Sequence, residues 1–205
     1  MRGAIALIAA LCLSTAAHAA DLSVVVKTTQ GRPVADAVVT AYPNGAYDKS
    51  RIRFSWAFRM TQKNMTFDPF VLVVPVGAEV SFPNLDNLRH HVYSFSPAKT
   101  FELKLYGHDE TRTVRFDKAG VVAIGCNIHD QMSAFIYVVD TPFAAKTDAS
   151  GQAVLRGLPG DQARVKVWHP YGKAKEGAVE QSVALAAGSA AVVLDLRPPP
   201  KRGAY

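Results

Sequence analysis

Residues 121–139 read "VVAIGCNIHDQMSAFIYVV". Two apolar runs, Val121–Ile124 and Phe135–Val139, have the length and the β-branched and aromatic content of buried strands. Between them, Cys126, His129 and Met132 follow one another at intervals of three. A thiol, an imidazole and a thioether on one short turn are three metal-ligand types, so this stretch predicts β structure around a candidate metal site.

Similar apolar or alternating runs recur along the chain, separated by turns rich in glycine, proline and asparagine. This pattern is typical of sandwiches and predicts an all-β protein. An alanine-rich segment, 174–187, is ambiguous between helix and strand. The other predicted strands are Leu22–Thr28, Val38–Tyr42, Phe70–Val76, Glu79–Phe82, Val92–Phe95, Phe101–Tyr106 and Thr111–Phe116, with two more within residues 147–168 on either side of Leu158-Pro159-Gly160.

The first nineteen residues have the pattern of a secretory signal peptide: a positive charge at Arg2, an apolar run over Ala4–Leu13 and small residues at Ala17 and Ala19. Lipoprotein processing at Cys12 is the alternative, but it would need small residues before the cysteine. We therefore expect export to the periplasm. No later stretch is long and apolar enough to span a bilayer, so no stable membrane insertion is expected.

Removal of the signal peptide would also remove Cys12, leaving Cys126 as the single thiol. A lone cysteine in an exported chain cannot form an intramolecular disulfide. It is an intermolecular partner, a site of uncontrolled oxidation, or a metal ligand.

The formal net charge is +6, and it falls by one unit when Arg2 is removed with the signal peptide. This charge is compatible with simple solubility or with an acidic protein partner. No block of lysine and arginine with interleaved aromatics is present, so we expect no nucleic-acid binding.

Cys126, His129 and Met132 match the ligand types of a blue-copper site, in which two histidines and a cysteine form a plane with a weak axial methionine. The second histidine would come from His90 or His91, about thirty-five residues earlier. Consecutive strand side chains point to opposite faces, so only one of the two is expected to face the loop. Tetrahedral zinc is the other metal interpretation, but a thioether contributes little to zinc binding.

The two ends of the chain carry the motifs "GRPVADA" at 31–37, "TDASG" at 147–151 and "LPG" at 158–160. These motifs resemble the small transthyretin-like or carboxypeptidase-regulatory-like sandwich. The resemblance implies one discontinuous sandwich formed by residues 20–48 and 142–196. Residues 49–141 would then be an inserted domain, after a signal peptide at 1–19, and residues 197–205 a flexible basic tail.

The central region resembles the cupredoxins. The resemblance lies in "FPN" at 82–84, "HVYS" at 91–94, "AG" at 119–120 and the short Cys126 loop, which is similar to the loops of amicyanin and plastocyanin-like proteins. Chains of this overall type have been labelled methylamine-utilisation proteins. The resemblance implies a Greek-key sandwich with one type 1 copper ion.

By the same resemblance, His90, Cys126 and His129 would ligate copper with Met132 as the axial ligand, because the family's His-Asn-Val triplet falls on His90. Two departures are evident: His91 stands in place of the asparagine, and Asp130 stands where amicyanin has proline. An imidazole at position 91 would tune the metal or compete for it.

The function that this resemblance implies is one-electron transfer with a periplasmic cytochrome or dehydrogenase as redox partner. One alternative is copper binding or delivery without electron transfer; another is that the terminal sandwich binds a protein or a glycan. We expect no enzyme activity, because copper oxidases and nitrite reductases need a second histidine cluster, and none of the five remaining histidines forms a His-x-His pair. His108 and His169 are expected at the surface. Met60 and Met65 are expected in strands or core; a soft surface for copper entry is the alternative.

Overall fold

The computed structural model of the protein describes residues 19–50 and 52–199. These residues form sixteen strands and two short 3-10 turns, which confirms the all-β prediction. The predicted signal peptide up to residue 18 and the tail from residue 200 lie outside the described residues. The strands are β1 Ala19–Thr28, β2 Val38–Pro43, β3 Thr61–Lys63, β4 Thr66–Asp68, β5 Val71–Pro75, β6 Ala78–Pro83, β7 His90–Ser96, β8 Lys99–Tyr106, β9 Thr111–Phe116, β10 Gly120–Cys126, β11 Ser133–Val139, β12 Ala144–Lys146, β13 Gln152–Pro159, β14 Gln162–Trp168, β15 Ala178–Ala184 and β16 Ser189–Leu194.

Strands from both ends of the chain share two sheets, which we call the terminal sheets. Their orders are β13-β1-β16 and β12-β2-β14-β15. In β1, the side chains of Leu22, Val24 and Val26 are buried at every second position, as expected for a strand with one face on a core. These residues pack with Leu158 and Val165, so one apolar core joins the two terminal sheets.

The strands between them form a five-stranded sheet of order β5-β11-β10-β7-β8 and the pairs β6-β9 and β3-β4. We call these nine strands the central strands. A second core lies among them, and its largest fully buried members are Met60, Phe82, Tyr106, Phe116, Met132 and Ile136. Because β10 pairs antiparallel with both β7 and β11, the end of β10 lies beside the start of each of these neighbours.

A third apolar cluster joins the terminal sheets to the central strands. Val38 and Trp168 contribute from the terminal sheets, and Val73 and Tyr137 from the central strands. The ring of Trp168 lies 5.1 Å from that of Tyr137 and 5.8 Å from that of Phe135, measured between centroids. Burial of these aromatic side chains links the two cores of the molecule.

The ambiguous segment 174–187 contains a strand and no α-helix. It contains β15 between 3-10 turns at Lys175–Gly177 and Leu185–Ala187. β15 pairs with β14 along its whole length, and this satisfies the backbone groups on one edge of β15 and outweighs the helix propensity of its alanines. In the described residues, neither these turns nor any other helix is long and apolar enough to cross a membrane.

Two glycines of the β13–β14 region differ in the space around them, which makes a matched pair of variants. Both have positive φ, +94° at Gly160 and +69° at Gly157. A Cβ at Gly160 would lie 2.6 Å from the Gly45 nitrogen, whereas a Cβ at Gly157 would meet nothing within 4 Å. We expect Gly157→Ala to lower the free energy of unfolding by about 1–2 kcal/mol through backbone strain. Gly160→Ala should cost about 1–3 kcal/mol more, because of the added clash.

Chemical denaturation of both variants checks this prediction. Equal losses of stability in the two would contradict the close approach of Gly160 to Gly45.

Candidate metal centre

Three potential ligand atoms converge at one end of the central strands. Cys126 ends β10 opposite Val92 of the neighbouring strand β7, which places it beside His90 at the start of β7. The turn after β10 places His129 next to Cys126 and His90. The Cys126 Sγ lies 3.7 Å from Nδ1 of each histidine, and the two Nδ1 atoms are 3.2 Å apart.

This triangle has the size of a single metal site. A point equidistant from the Cys126 Sγ and the Nδ1 atoms of His90 and His129 lies about 2.1 Å from each, given separations of 3.7, 3.7 and 3.2 Å. Nitrogen and thiolate ligands bind zinc at ~2.0–2.3 Å, so one ion of similar radius fits between the three atoms without rearrangement. The residues are therefore suited to hold a metal ion.

Residues 126–132 carry the candidate ligands Cys126, His129 and Met132, and we call them the ligand turn. Backbone hydrogen bonds hold this turn closed. The Met132 N–H donates to the His129 carbonyl at 2.9 Å, and the Cys126 N–H donates to the Met132 carbonyl at 3.2 Å. The Asn127 N–H donates to the His91 carbonyl at 3.0 Å, which ties the turn to β7. Met132 is buried in the same apolar core as Cys126, so its thioether is on the protein side of the turn.

The adjacent histidines of β7 point in different directions, as strand alternation requires. His90 is fully buried with its Nδ1 toward Cys126 and its Nε2 2.8 Å from Asp86 Oδ2. His91 is partly exposed, and its Nε2 lies 2.9 Å from Glu102 Oε1. Of the two, the structure brings only His90 together with Cys126 and His129.

Asp86 is a site residue that the sequence analysis missed. Besides His90, its carboxylate accepts hydrogen bonds from the backbone N–H groups of Asn64 at 2.5 Å and Met65 at 3.0 Å. Partial burial acts to raise the pKa of Asp86, but the hydrogen bonds from Met65, His90 and Asn64 outweigh burial and leave the pKa below its usual range. The available signal was a carboxylate four residues before a candidate ligand, which alone does not distinguish it from other loop acids.

Two of the other residues considered from the sequence lie where expected. His108 is exposed, with its Nε2 3.2 Å from Asp109 Oδ2. Met60 is fully buried in the central core. Asp130 is exposed next to His129 in the ligand turn.

For His169 and Met65 the expectation was wrong. His169 is buried, because it directly follows Trp168 at the junction of terminal and central strands; its Nδ1 accepts the Tyr171 N–H at 3.2 Å, and burial lowers its pKa. Met65 is 40% exposed, because a hairpin turn with positive φ, not a strand, places it. The side-chain amide of Gln131, in the ligand turn, donates a hydrogen bond to the Met65 sulfur at 3.9 Å.

No family model matches the chain, and no curated protein matches it. Several solved structures are similar to part of it. A copper-containing nitrite reductase from Thermus scotoductus SA-01 is 24% identical over 47% of this chain, with a TM-score of 0.39, and the match spans 25% of the reductase chain.

The other similar structures include smaller copper proteins. A purple cupredoxin from Nitrosopumilus maritimus is 19% identical, with a TM-score of 0.36, over 40% of this chain and 98% of its own. An amicyanin variant in its reduced Cu(I) form is 19% identical, with a TM-score of 0.37, over 49% of this chain and 98% of its own. Each of these similarities covers less than half of the present chain.

Proposed function

We propose that this chain is an exported, cupredoxin-like type 1 copper protein that carries single electrons between redox partners. The observation that carries the proposal is the triangle formed by the Cys126 Sγ and the Nδ1 atoms of His90 and His129. The proposed fourth ligand is the buried Met132.

The donor set favours copper over zinc. The size of the triangle suits either ion, but a thiolate together with a thioether is a soft set that copper prefers, whereas a structural zinc site would draw on further thiolate, imidazole or carboxylate ligands. In the described residues, the cluster of His90, Cys126 and His129 has no carboxylate among its close donors.

Each residue has a distinct role in this proposal. Bound copper would supply a one-electron couple, Cu(II)/Cu(I). Cys126 and His90 are buried, so they hold their part of the site away from water. His129 is half-buried and is the one ligand of the three that reaches the surface, which makes its ring the portal for electrons. Pairing of β7, β10 and β11 keeps these side chains in place, so little rearrangement accompanies a change of charge.

The partners, location and domain division are part of the same proposal. Residues 20–48 and 142–196 would form a transthyretin-like sandwich, and residues 49–141 would form the copper domain. The pairing of Thr40 in β2 with Ala144 in β12 supports this division, because these two strands lie on either side of the proposed insertion. A periplasmic cytochrome or dehydrogenase would exchange electrons at His129. A role in methylamine utilisation stays a prediction from resemblance.

Copper binding or delivery without electron transfer is the second candidate function. The exposed Met65 favours it, because its sulfur lies beside Gln131 of the ligand turn, where it offers an additional soft donor near the site.

Copper titration followed by optical and electrochemical measurement tests the proposal. We expect one Cu(II) per chain, an intense thiolate-to-copper absorption band, and reversible one-electron reduction with the metal retained. Absence of the band in fully loaded wild-type protein would overturn the type 1 assignment. Rapid loss of the metal to a chelator, without reversible redox cycling, would favour delivery.

A further inference from the structure

We propose that Asp86, held by the tip of the β3–β4 hairpin, is a positioning residue that fixes which ring nitrogen of His90 faces the metal site. The hairpin would then belong to the site although it contributes no ligand. The consequence of this arrangement for copper rests on the proposed function, but the orientation of His90 does not.

Three donors meet on the Asp86 carboxylate. Oδ2 is 2.8 Å from His90 Nε2 and 3.0 Å from the Met65 backbone nitrogen, and Oδ1 is 2.5 Å from the Asn64 backbone nitrogen. The carboxylate therefore bridges two segments that the chain separates by more than twenty residues. A side chain restrained by three hydrogen bonds has little freedom to leave the imidazole.

Asp86 is also held through its backbone. Its N–H donates to the Asn84 side-chain oxygen at 2.9 Å. Asn84 is fully buried, and its side-chain amide donates to the carbonyls of Leu88 at 2.8 Å and Tyr106 at 3.1 Å. The loop between β6 and β7 is thus built to present the carboxylate to His90.

The chemistry of the two groups determines the orientation. A neutral imidazole carries one N–H, and an ionised carboxylate can only accept. The proton of His90 therefore lies on Nε2, which leaves the lone pair of Nδ1 directed toward Cys126 and His129. A carboxylate behind a ligating imidazole also raises the basicity of that ligand. It adds negative charge near the site, which favours Cu(II) over Cu(I).

The geometry of the β3–β4 hairpin explains why the N–H groups of Asn64 and Met65 both reach the Asp86 carboxylate. Asn64 and Met65 are the two turn residues between β3 and β4, and both have positive φ, 54° and 53°. Positive φ at both central positions is the signature of a type I′ turn. In this turn the successive N–H groups of Asn64 and Met65 both donate to Asp86.

The first test needs no metal. Nitrogen-15 shifts of the histidine rings in metal-free wild-type protein should show His90 as the Nε2–H form, and Asp86→Ala should produce a mixture of the two forms. A wild-type His90 protonated on Nδ1 would overturn the proposal whether or not the variant folds. An unchanged His90 ring in a folded Asp86→Ala protein would also overturn it.

The second test uses copper-loaded protein with Asp86→Asn, which keeps the side-chain shape and removes the charge. Removal of such a partner typically lowers metal affinity about 10–100-fold. If the affinity for Cu(II) falls tenfold more than the affinity for Cu(I), the reduction potential rises by about 59 mV. Asp117→Asn is the matched control. Asp117 lies in the turn after β9, and its exposed carboxylate pairs with Arg115 of that strand. Equal affinities and potentials in the Asp86 variant, the control and the wild type would contradict the proposal.

These tests separate the two proposals. A wild-type protein without a thiolate-to-copper band, but with an Asp86-dependent His90 ring form, would refute the type 1 copper function and leave the positioning role standing. A normal thiolate-to-copper band, together with a His90 ring form that does not depend on Asp86, would support the copper function and refute the positioning role.

Discussion

Cys126→Ser is expected to abolish the thiolate-to-copper absorption band and to remove reversible redox cycling. The band depends on a sulfur ligand, and a serine hydroxyl is a hard donor that stays protonated at neutral pH. The change should not prevent folding, because serine is nearly the same size as cysteine and its hydroxyl would lie close to the ring nitrogens of His90 and His129. Visible absorption of the copper-loaded variant gives the result directly.

Met132→Leu is the control for this substitution. It keeps the thiolate and a buried apolar side chain of similar volume, so the band should persist and the core should remain packed. The reduction potential should change, because Met132 is the proposed axial ligand and an axial ligand influences the potential. A band that survives Cys126→Ser would show that the chromophore is not the proposed site.

Trp168→Ala is expected to lower the free energy of unfolding by about 3–5 kcal/mol, as is typical when a large aromatic side chain is removed from a core. Trp168 is 4% exposed and belongs to a terminal sheet, but its ring packs on Phe135 and Tyr137 of β11. The loss should therefore weaken the central strands as well as the terminal sheets. Chemical denaturation gives the total loss, and amide hydrogen exchange in β11 and β14 shows where protection falls.

Phe95→Ala provides the comparison. Phe95 is also aromatic, but it is 81% exposed, so its truncation should change stability by no more than about 0.5 kcal/mol. If Trp168→Ala lowers hydrogen-exchange protection only in β14, the third apolar cluster does not couple the stability of the terminal sheets to that of the central strands.

Many of the strands of this protein were predictable because their signal is local. Alternation in β1 and the apolar runs of β10 and β11 can be recognised in contiguous residues, and the observed bounds agree to within a few positions. The segment that became β15 was ambiguous for the opposite reason. Its alanines do not choose between helix and strand, and pairing with β14 made that choice.

The candidate ligands were also recognisable from residue types and spacing. Cys126, His129 and Met132 lie on one short turn, and alternation allowed only one of His90 and His91 to face it. The local sequence did not distinguish Asp86 from other loop acids, because its partners Asn64 and Met65 come from a hairpin more than twenty residues away.

Composition and short-range order were thus enough to establish the β class, the main strands and the types of donor atom, because each is a property of neighbouring residues. Tertiary structure alone decided that the Nδ1 atoms of His90 and His129 approach the Cys126 sulfur, that Asp86 backs His90, and that Trp168 and His169 are buried. Such contacts depend on which distant strands pair and in which register, and that is set by the free energy of burying whole sheet faces rather than by any one segment.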